Sequence, residues 1–162
     1  MLFGLILHRS SRLKSAGIGR EYLVSSPEVI FERGEEFEPY MSSIPQLLES
    51  ELSSNSASVR LRAALGLLQS ESERNDIRSI AIDELTTTRD KRELKAAVFL
   101  LRNDPTIVSD ISKRFEKTNN PLSRATLANA AFWLGEPQLT NLVFDNTADP
   151  CLLYTSPSPR DS

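Results

Sequence analysis

The sequence predicts an all-α protein, an α-α superhelix of about three helical hairpins with one helix before them. Two observations support this class. Three segments rich in alanine and leucine begin at Leu61, Leu94 and Leu127, so that they recur every 33 residues, and periods of about 20 to 50 residues are typical of repeat architectures. Within each segment apolar residues lie three and four positions apart, which is the spacing of a helix and not of a strand.

The individual helices follow from this repeat. A helix over about 44–53 precedes the array, and first and second helices then alternate over about 57–69, 74–87, 90–102, 105–117, 121–134 and 137–147. The second helices carry a thinner apolar stripe at four-residue steps, as in Ile107, Ile111 and Phe115. Such a stripe makes one face of the helix apolar, and a neighbouring helix must cover it.

Proline and glycine mark several helix boundaries. Asp104-Pro105 and Asn120-Pro121 are N-terminal signals, because a capping side chain followed by proline suits the first turn of a helix. Gly135 is expected to end the helix before it in the left-handed conformation. Gly66 lies inside a predicted helix, where glycine costs about 1 kcal/mol relative to alanine, so we expect it to permit a close contact between helices.

The repeat pattern resembles the HEAT-repeat family, in particular the short bacterial type that also occurs in phycobilin-lyase-like proteins. Residues 55–60, Asn-Ser-Ala-Ser-Val-Arg, lead into Arg-Ala-Ala at 62–64 and are similar to that family's turn followed by Val-Arg and Ala-Ala. Residues 90–97 are similar but lack the Val-Arg pair, and 120–124 match more loosely. The resemblance covers residues 44–150 and implies a right-handed α-solenoid whose second helices line a concave surface.

By this resemblance, the polar faces of the second helices would contact a protein or peptide, and we expect a non-catalytic interaction scaffold. An alternative from another class is an enzyme or enzyme accessory. This would be either a phycobilin-lyase-like HEAT protein acting on a bound chromophore or a multidomain enzyme whose catalytic part lies beyond residue 150. The candidate partner-binding residues are Asp76, Arg78, Lys113, Arg114 and Asn141.

The sequence contains no recognisable catalytic constellation, so we predict no catalytic residue, no cofactor and no metal ligand. His8 is the only histidine, and metal binding would need several ligands at suitable spacing. The glutamates Glu32, Glu35, Glu36 and Glu38 are instead predicted to form a solvated acidic linker.

Aromatic and basic residues of the first helices each allow two interpretations. Phe99, Phe132 and Trp133 lie at helical spacing among alanine and leucine, so we predict core residues and not interface anchors. Basic residues recur in these helices and could form a strip for nucleic acid, but Glu93 and Glu116 lie among them and the formal net charge is −3. These acids argue against a surface that follows phosphates. The recurring basic residues are Arg60, Arg62, Lys95 and Arg124.

The chain is divided by these observations into three parts. Residues 1–41 are predicted to be a leader, with a short apolar start that cannot span a membrane, since a span needs about 20 apolar residues. Basic residues follow that apolar start, whereas a secretory signal has them before it. Residues 42–150 are the predicted helical repeats.

Residues 151–162 resemble the translated adaptor DNA of sequencing libraries. We therefore expect this tail not to be native and the array to be truncated near Pro150. The only cysteine, Cys151, falls in the tail, so no disulfide framework is expected before it. Cysteine-free sequence is compatible with a reducing compartment, and we expect the cytoplasm, although the sequence leaves the compartment open.

Overall fold

The computed structural model describes residues 14–70 and 74–140, and within these ranges every regular element is a helix. The predicted all-α class is therefore confirmed. A further helix begins at residue 138. The helices are α1 (described part 14–24), α2 (Pro27–Met41), α3 (Pro45–Glu51), α4 (Ala57–Ser70), α5 (Asn75–Thr87), α6 (Lys91–Leu101), α7 (Ile107–Lys117) and α8 (Pro121–Trp133).

The predicted helices of the array agree with the observed ones to within two residues at each described end. Asn120 caps α8, because its side chain accepts hydrogen bonds from the backbone N–H groups of Leu122 and Ser123. Gly135 follows α8 with a φ of 95°, which is the predicted left-handed conformation. The predicted continuation of the last helix to residue 147 lies outside the described residues.

The start of α7 differs from the prediction at Asp104-Pro105. Both residues belong to a turn, and α7 begins two residues after the proline. The Asp104 carboxylate accepts hydrogen bonds from the N–H and the hydroxyl of Thr106, so it fixes this turn and does not cap the helix. The same carboxylate lies 3.0 Å from Nη2 of Arg78 on α5, which ties the turn to the preceding repeat.

Residues 27–41 form a packed helix, so the predicted acidic linker is wrong. Apolar positions recur in α2 at intervals of three and four, and the buried residues are Ile30, Gly34, Phe37 and Met41. This helix packs on both α4 and α6, so residues 27–41 of the predicted leader contact the array. The glutamates occupy the exposed side of an amphipathic helix, and they are Glu32, Glu35, Glu36 and Glu38.

The array has two layers. The first helices α4, α6 and α8 contact one another in order, and the second helices α5 and α7 contact each other alongside them. In a regular solenoid each repeat contacts only its neighbours. Here α8 also packs on α5, so repeats one and three are joined directly.

One buried apolar cluster includes residues from all eight of these helices. Gly66 contributes by its lack of a side chain, since a Cβ there would lie 3.1 Å from Cδ1 of Leu48 and from Sδ of Met41. This close approach of α4 to α3 and α2 confirms the predicted packing role. None of the described helices is long and apolar enough to cross a membrane.

The aromatic residues of the first helices are less buried than predicted. Phe132 is 43% exposed, because α8 packs on its neighbours through a different face that contains Leu127 and several alanines. Trp133 is half-buried against the core. Phe99 is also half-buried and lies with its ring centroid 5.2 Å from that of Phe31 on α2.

Candidate functional site

A groove between α5 and α7 is the first candidate site. Each helix contributes residues three and four positions apart, which lie on one face of a helix. The two faces enclose a cavity of about 320 Å³, and we call it the α5–α7 groove. Its lining residues are Asn75, Arg78, Ser79, Ile82, Asp83, Asp110, Lys113, Arg114 and Lys117.

The structure brings together three of the five predicted partner-binding residues, namely Arg78, Lys113 and Arg114. Asp76 does not line the groove; its carboxylate lies 2.8 Å from Nη2 of Arg74 on the same helix end. Asn141 lies outside the described residues. The sequence interpretation omitted Lys117, although its position four residues after Lys113 places it on the same helical face.

Four basic and two acidic side chains line the α5–α7 groove, and most of these charges are paired. Nε of Arg78 lies 3.6 Å from Asp110, and Nζ of Lys113 lies 3.1 Å from the same carboxylate. Arg114 pairs with Asp83 across the groove. Lys117 is exposed and forms no ion pair with any described residue. The groove therefore carries a positive surplus.

Arg78 is the most enclosed of these cations, with 12% of its side chain exposed. Its partner Asp104 remains ionised. Burial raises the pKa of Asp104, but hydrogen bonds from Thr106 and the charge of Arg78 outweigh burial and hold the pKa below its ordinary value. We infer that Arg78 fixes the floor of the groove, whereas Lys113, Arg114 and Lys117 are the cations that solvent can reach.

The basic residues of the first helices do not form a strip. Nε of Arg60 lies 2.6 Å from Oε1 of Glu84. The guanidinium of Arg124 lies 4.0 Å from the ring centroid of Phe115, and Nζ of Lys95 lies 4.6 Å from a ring on α2. Each side chain serves a different intramolecular contact. Arg60, Arg62, Lys95 and Arg124 therefore do not form a continuous basic surface, which agrees with the argument against one from the sequence.

Arg62 lies at the centre of a buried polar network. Its Nη2 and Nε lie 2.7 and 2.9 Å from the two carboxylate oxygens of Glu93, and the side chains are 5% and 7% exposed. Nη1 donates to carbonyls at the C-terminal end of α1, including those of Leu23 and Ser25. The Tyr22 hydroxyl donates to the Arg62 carbonyl at 3.1 Å. We call these five residues the Arg62 network; it joins α1, α4 and α6.

The hydroxyl of Tyr22 stays protonated within this network. Burial raises the pKa of Tyr22 well above its ordinary value, and the charge of Glu93 adds to this, while the charge of Arg62 opposes it. A protonated hydroxyl is required for the hydrogen bond to the Arg62 carbonyl. Tyr22 therefore acts as a structural donor.

A second cavity, of about 610 Å³, opens beside the α5–α7 groove and shares Asn75 and Arg78 with it. It is bounded by α2, by the C-terminal ends of α4 and α6, and by the turn before α7. We call it the α2–α6 cavity. Its walls combine leucine side chains with charged residues, so it differs in character from the groove.

Among the described residues, no group of three or more histidine, cysteine, aspartate or glutamate side chains is arranged to hold a metal ion. His8 and Cys151 lie outside the described residues.

Comparison with protein-family models, with curated proteins and with solved structures gives no match. The fold itself defines the class to which the chain belongs: an all-α protein whose helices pack in two layers, with a charged groove between its second helices.

Proposed function

We propose that this chain is a non-catalytic scaffold of HEAT-like repeats, and that its α5–α7 groove binds an acidic segment of a protein partner. The observation that carries the proposal is the pair of facing helical stripes, which place four basic side chains against two acidic ones. A groove with a net positive charge attracts acidic ligands and raises their rate of association.

The ion pairs at the mouth of the groove can be exchanged for a partner's carboxylates at low cost. Lys113 is 66% exposed and Arg114 is 42% exposed. Exposed ion pairs contribute roughly 0 to 1 kcal/mol. A carboxylate of the partner can therefore replace an intramolecular one, and Lys117 offers a cation that no described residue neutralises.

A peptide suits this groove better than a nucleic acid does. Affinity for a phosphate backbone depends on several cations that each neutralise a phosphate. Here Asp83 and Asp110 lie inside the groove, and Arg78 is held by Asp104 and Asp110. Too few cations remain for a continuous row of phosphates, whereas two or three carboxylates of a short segment match those available.

The test is fluorescence anisotropy with a labelled hexaglutamate peptide and, separately, a labelled thymidine oligonucleotide. We expect hexaglutamate to bind at low salt and the groove variant Lys113→Glu/Lys117→Glu to bind at least about tenfold more weakly, as loss of two charged contacts implies. The matched control is Lys14→Glu/Arg20→Glu, which makes the same change in charge at exposed positions of α1.

The control variant should retain hexaglutamate affinity, and both variants should keep the helical circular dichroism spectrum of the parent. Absence of hexaglutamate binding, or an equal loss in the control variant, would refute the proposal. Tighter binding of the oligonucleotide, lost in the groove variant, would assign the groove to nucleic acid instead.

A further inference from the structure

The α2–α6 cavity lies directly beside the α5–α7 groove but has the opposite charge. Glu35, Glu38 and Asp104 line it, against Arg78 and Arg102. A ligand that extends from the groove past Arg78 therefore passes from a positive surface to a negative one.

Two acceptors in this cavity remain for a ligand. Nη2 of Arg102 lies 2.6 Å from Oε1 of Glu35, and Arg78 pairs with Asp104, so these four side chains satisfy one another. Glu38 forms no ion pair with a described residue. Oε1 of Gln69 is buried and accepts no hydrogen bond from a described residue, and a buried acceptor without a partner is costly.

The cavity walls suit an aliphatic stem. Leu65, Leu68 and Leu100 line the cavity together with Gly34. A Cβ at Gly34 would lie 3.0 Å from Cε1 of Phe99, so glycine allows α2 to approach α6 closely at this wall. Long basic side chains place their methylene groups on apolar surface and their charged head on polar groups. The combination of leucine walls with unsatisfied acceptors matches that distribution.

We infer that the α2–α6 cavity binds an arginine or lysine side chain of the same partner whose acidic segment occupies the α5–α7 groove. This inference rests on the proposed function. The stem of the basic residue packs on the leucine side chains, and its head donates hydrogen bonds to Oε1 of Gln69 and to the Glu38 carboxylate. The partner segment therefore carries a basic residue next to its acidic residues.

The first experiment is a titration of the ¹⁵N-labelled chain with butylguanidinium, followed by amide chemical shifts. We expect saturable shifts at Gly34, Gln69 and Asn103, and weaker binding, by at least about threefold, in Glu38→Gln/Gln69→Leu. The groove variant Lys113→Glu/Lys117→Glu should bind butylguanidinium at least as well as the parent. Neutral 1-butanol is the control for apolar binding alone, and equal affinity for butanol would overturn the inference.

The second experiment joins the two sites with hexaglutamate peptides that end in arginine, norleucine or glutamine. We expect the arginine peptide to bind about tenfold more tightly than the norleucine peptide, and Glu38→Gln/Gln69→Leu to abolish that advantage without weakening hexaglutamate itself. Hexaglutamate binding with no gain from arginine would overturn this inference alone. Butylguanidinium binding without any hexaglutamate binding would refute the proposed function and leave an isolated cation site.

Discussion

The Arg62 network and the α5–α7 groove use the same chemistry in different surroundings. In both, an arginine on one helix pairs with a carboxylate on another, Arg62 with Glu93 and Arg114 with Asp83. The first pair is 5% and 7% exposed, whereas the second is 42% and 48% exposed. The first pair is excluded from solvent and has a structural role. The second pair is accessible to solvent and therefore also to a ligand.

Burial changes the consequence of removing one partner. A buried ion pair costs desolvation when it forms, so it adds little net stability, but removal of one member leaves an uncompensated charge. Arg62 in addition satisfies carbonyls at the C-terminal end of α1, where the helix dipole favours a cation. An exposed pair has neither property, because water replaces whichever partner is lost.

The largest expected effect is that of Arg62→Leu. It leaves Glu93 buried without its cation, and the free energy of unfolding should fall by about 3 to 5 kcal/mol. Urea denaturation followed by circular dichroism measures this change. The matched control is Arg60→Leu in the same helix, whose side chain is 28% exposed in its pair with Glu84, so we expect a loss of about 1 kcal/mol there.

The double variant Arg62→Leu/Glu93→Leu separates the two roles of Arg62. Removal of the stranded carboxylate should recover part of the lost stability, but the α1 carbonyls still lack their donor. A double variant as unstable as Arg62→Leu would show that the unpaired charge is not the cause. Equal effects of Arg62→Leu and Arg60→Leu would remove the distinction between the buried pair and the part-buried one.

A smaller effect is expected at alkaline pH through Tyr22. Its pKa is raised in the folded state, so folding favours the protonated hydroxyl. Its contribution to the free energy of unfolding is fully present below the pKa of about 10 in the unfolded chain. This contribution is lost as the pH rises above that value towards the pKa in the folded chain.

The measurement is the urea midpoint between about pH 8 and pH 11 for the parent and for Tyr22→Phe. At about pH 8 the free energy of unfolding of the variant should be lower by about 1 kcal/mol, because the variant lacks the hydrogen bond to the Arg62 carbonyl. The midpoint of the parent should then fall more steeply with pH than that of the variant. Parallel curves would mean that the hydroxyl ionises as easily in the folded chain as in the unfolded one.

The sequence was sufficient to predict the helices of the array and three of the nine side chains that line the groove, because both depend on local spacing. The 33-residue repeat indicated the first helices, and the four-residue steps of the apolar stripe indicated that Lys113 and Arg114 lie off the buried face of α7. The same spacing was present in α2, at Ile30, Gly34 and Phe37. There the run of glutamates predicts a linker, although such a run is equally the solvated side of an amphipathic helix.

The Arg62 network and the α2–α6 cavity could not be predicted, because they depend on contacts between distant parts of the chain. The pairing of Arg62 with Glu93 spans 31 positions, and its hydrogen bond from Tyr22 spans 40. No local pattern marks either contact. The recurrence of basic residues in the first helices was correct as a sequence observation, but only the packing shows that each cation faces a different neighbour.

The smallest expected effect is the coupling between Asp83 and Arg114, measured by a double-mutant cycle of their alanine variants in urea denaturation. Because both side chains are more than 40% exposed, we expect a coupling of about 0.2 to 1 kcal/mol, and it should weaken in about 0.5 M salt, where screening lengths are short. Coupling above about 2 kcal/mol that salt leaves unchanged would make Arg114 a structural residue like Arg62. Arg114 would then be unable to leave Asp83 for the carboxylate of a partner, and Lys113 and Lys117 alone would carry recognition in the groove.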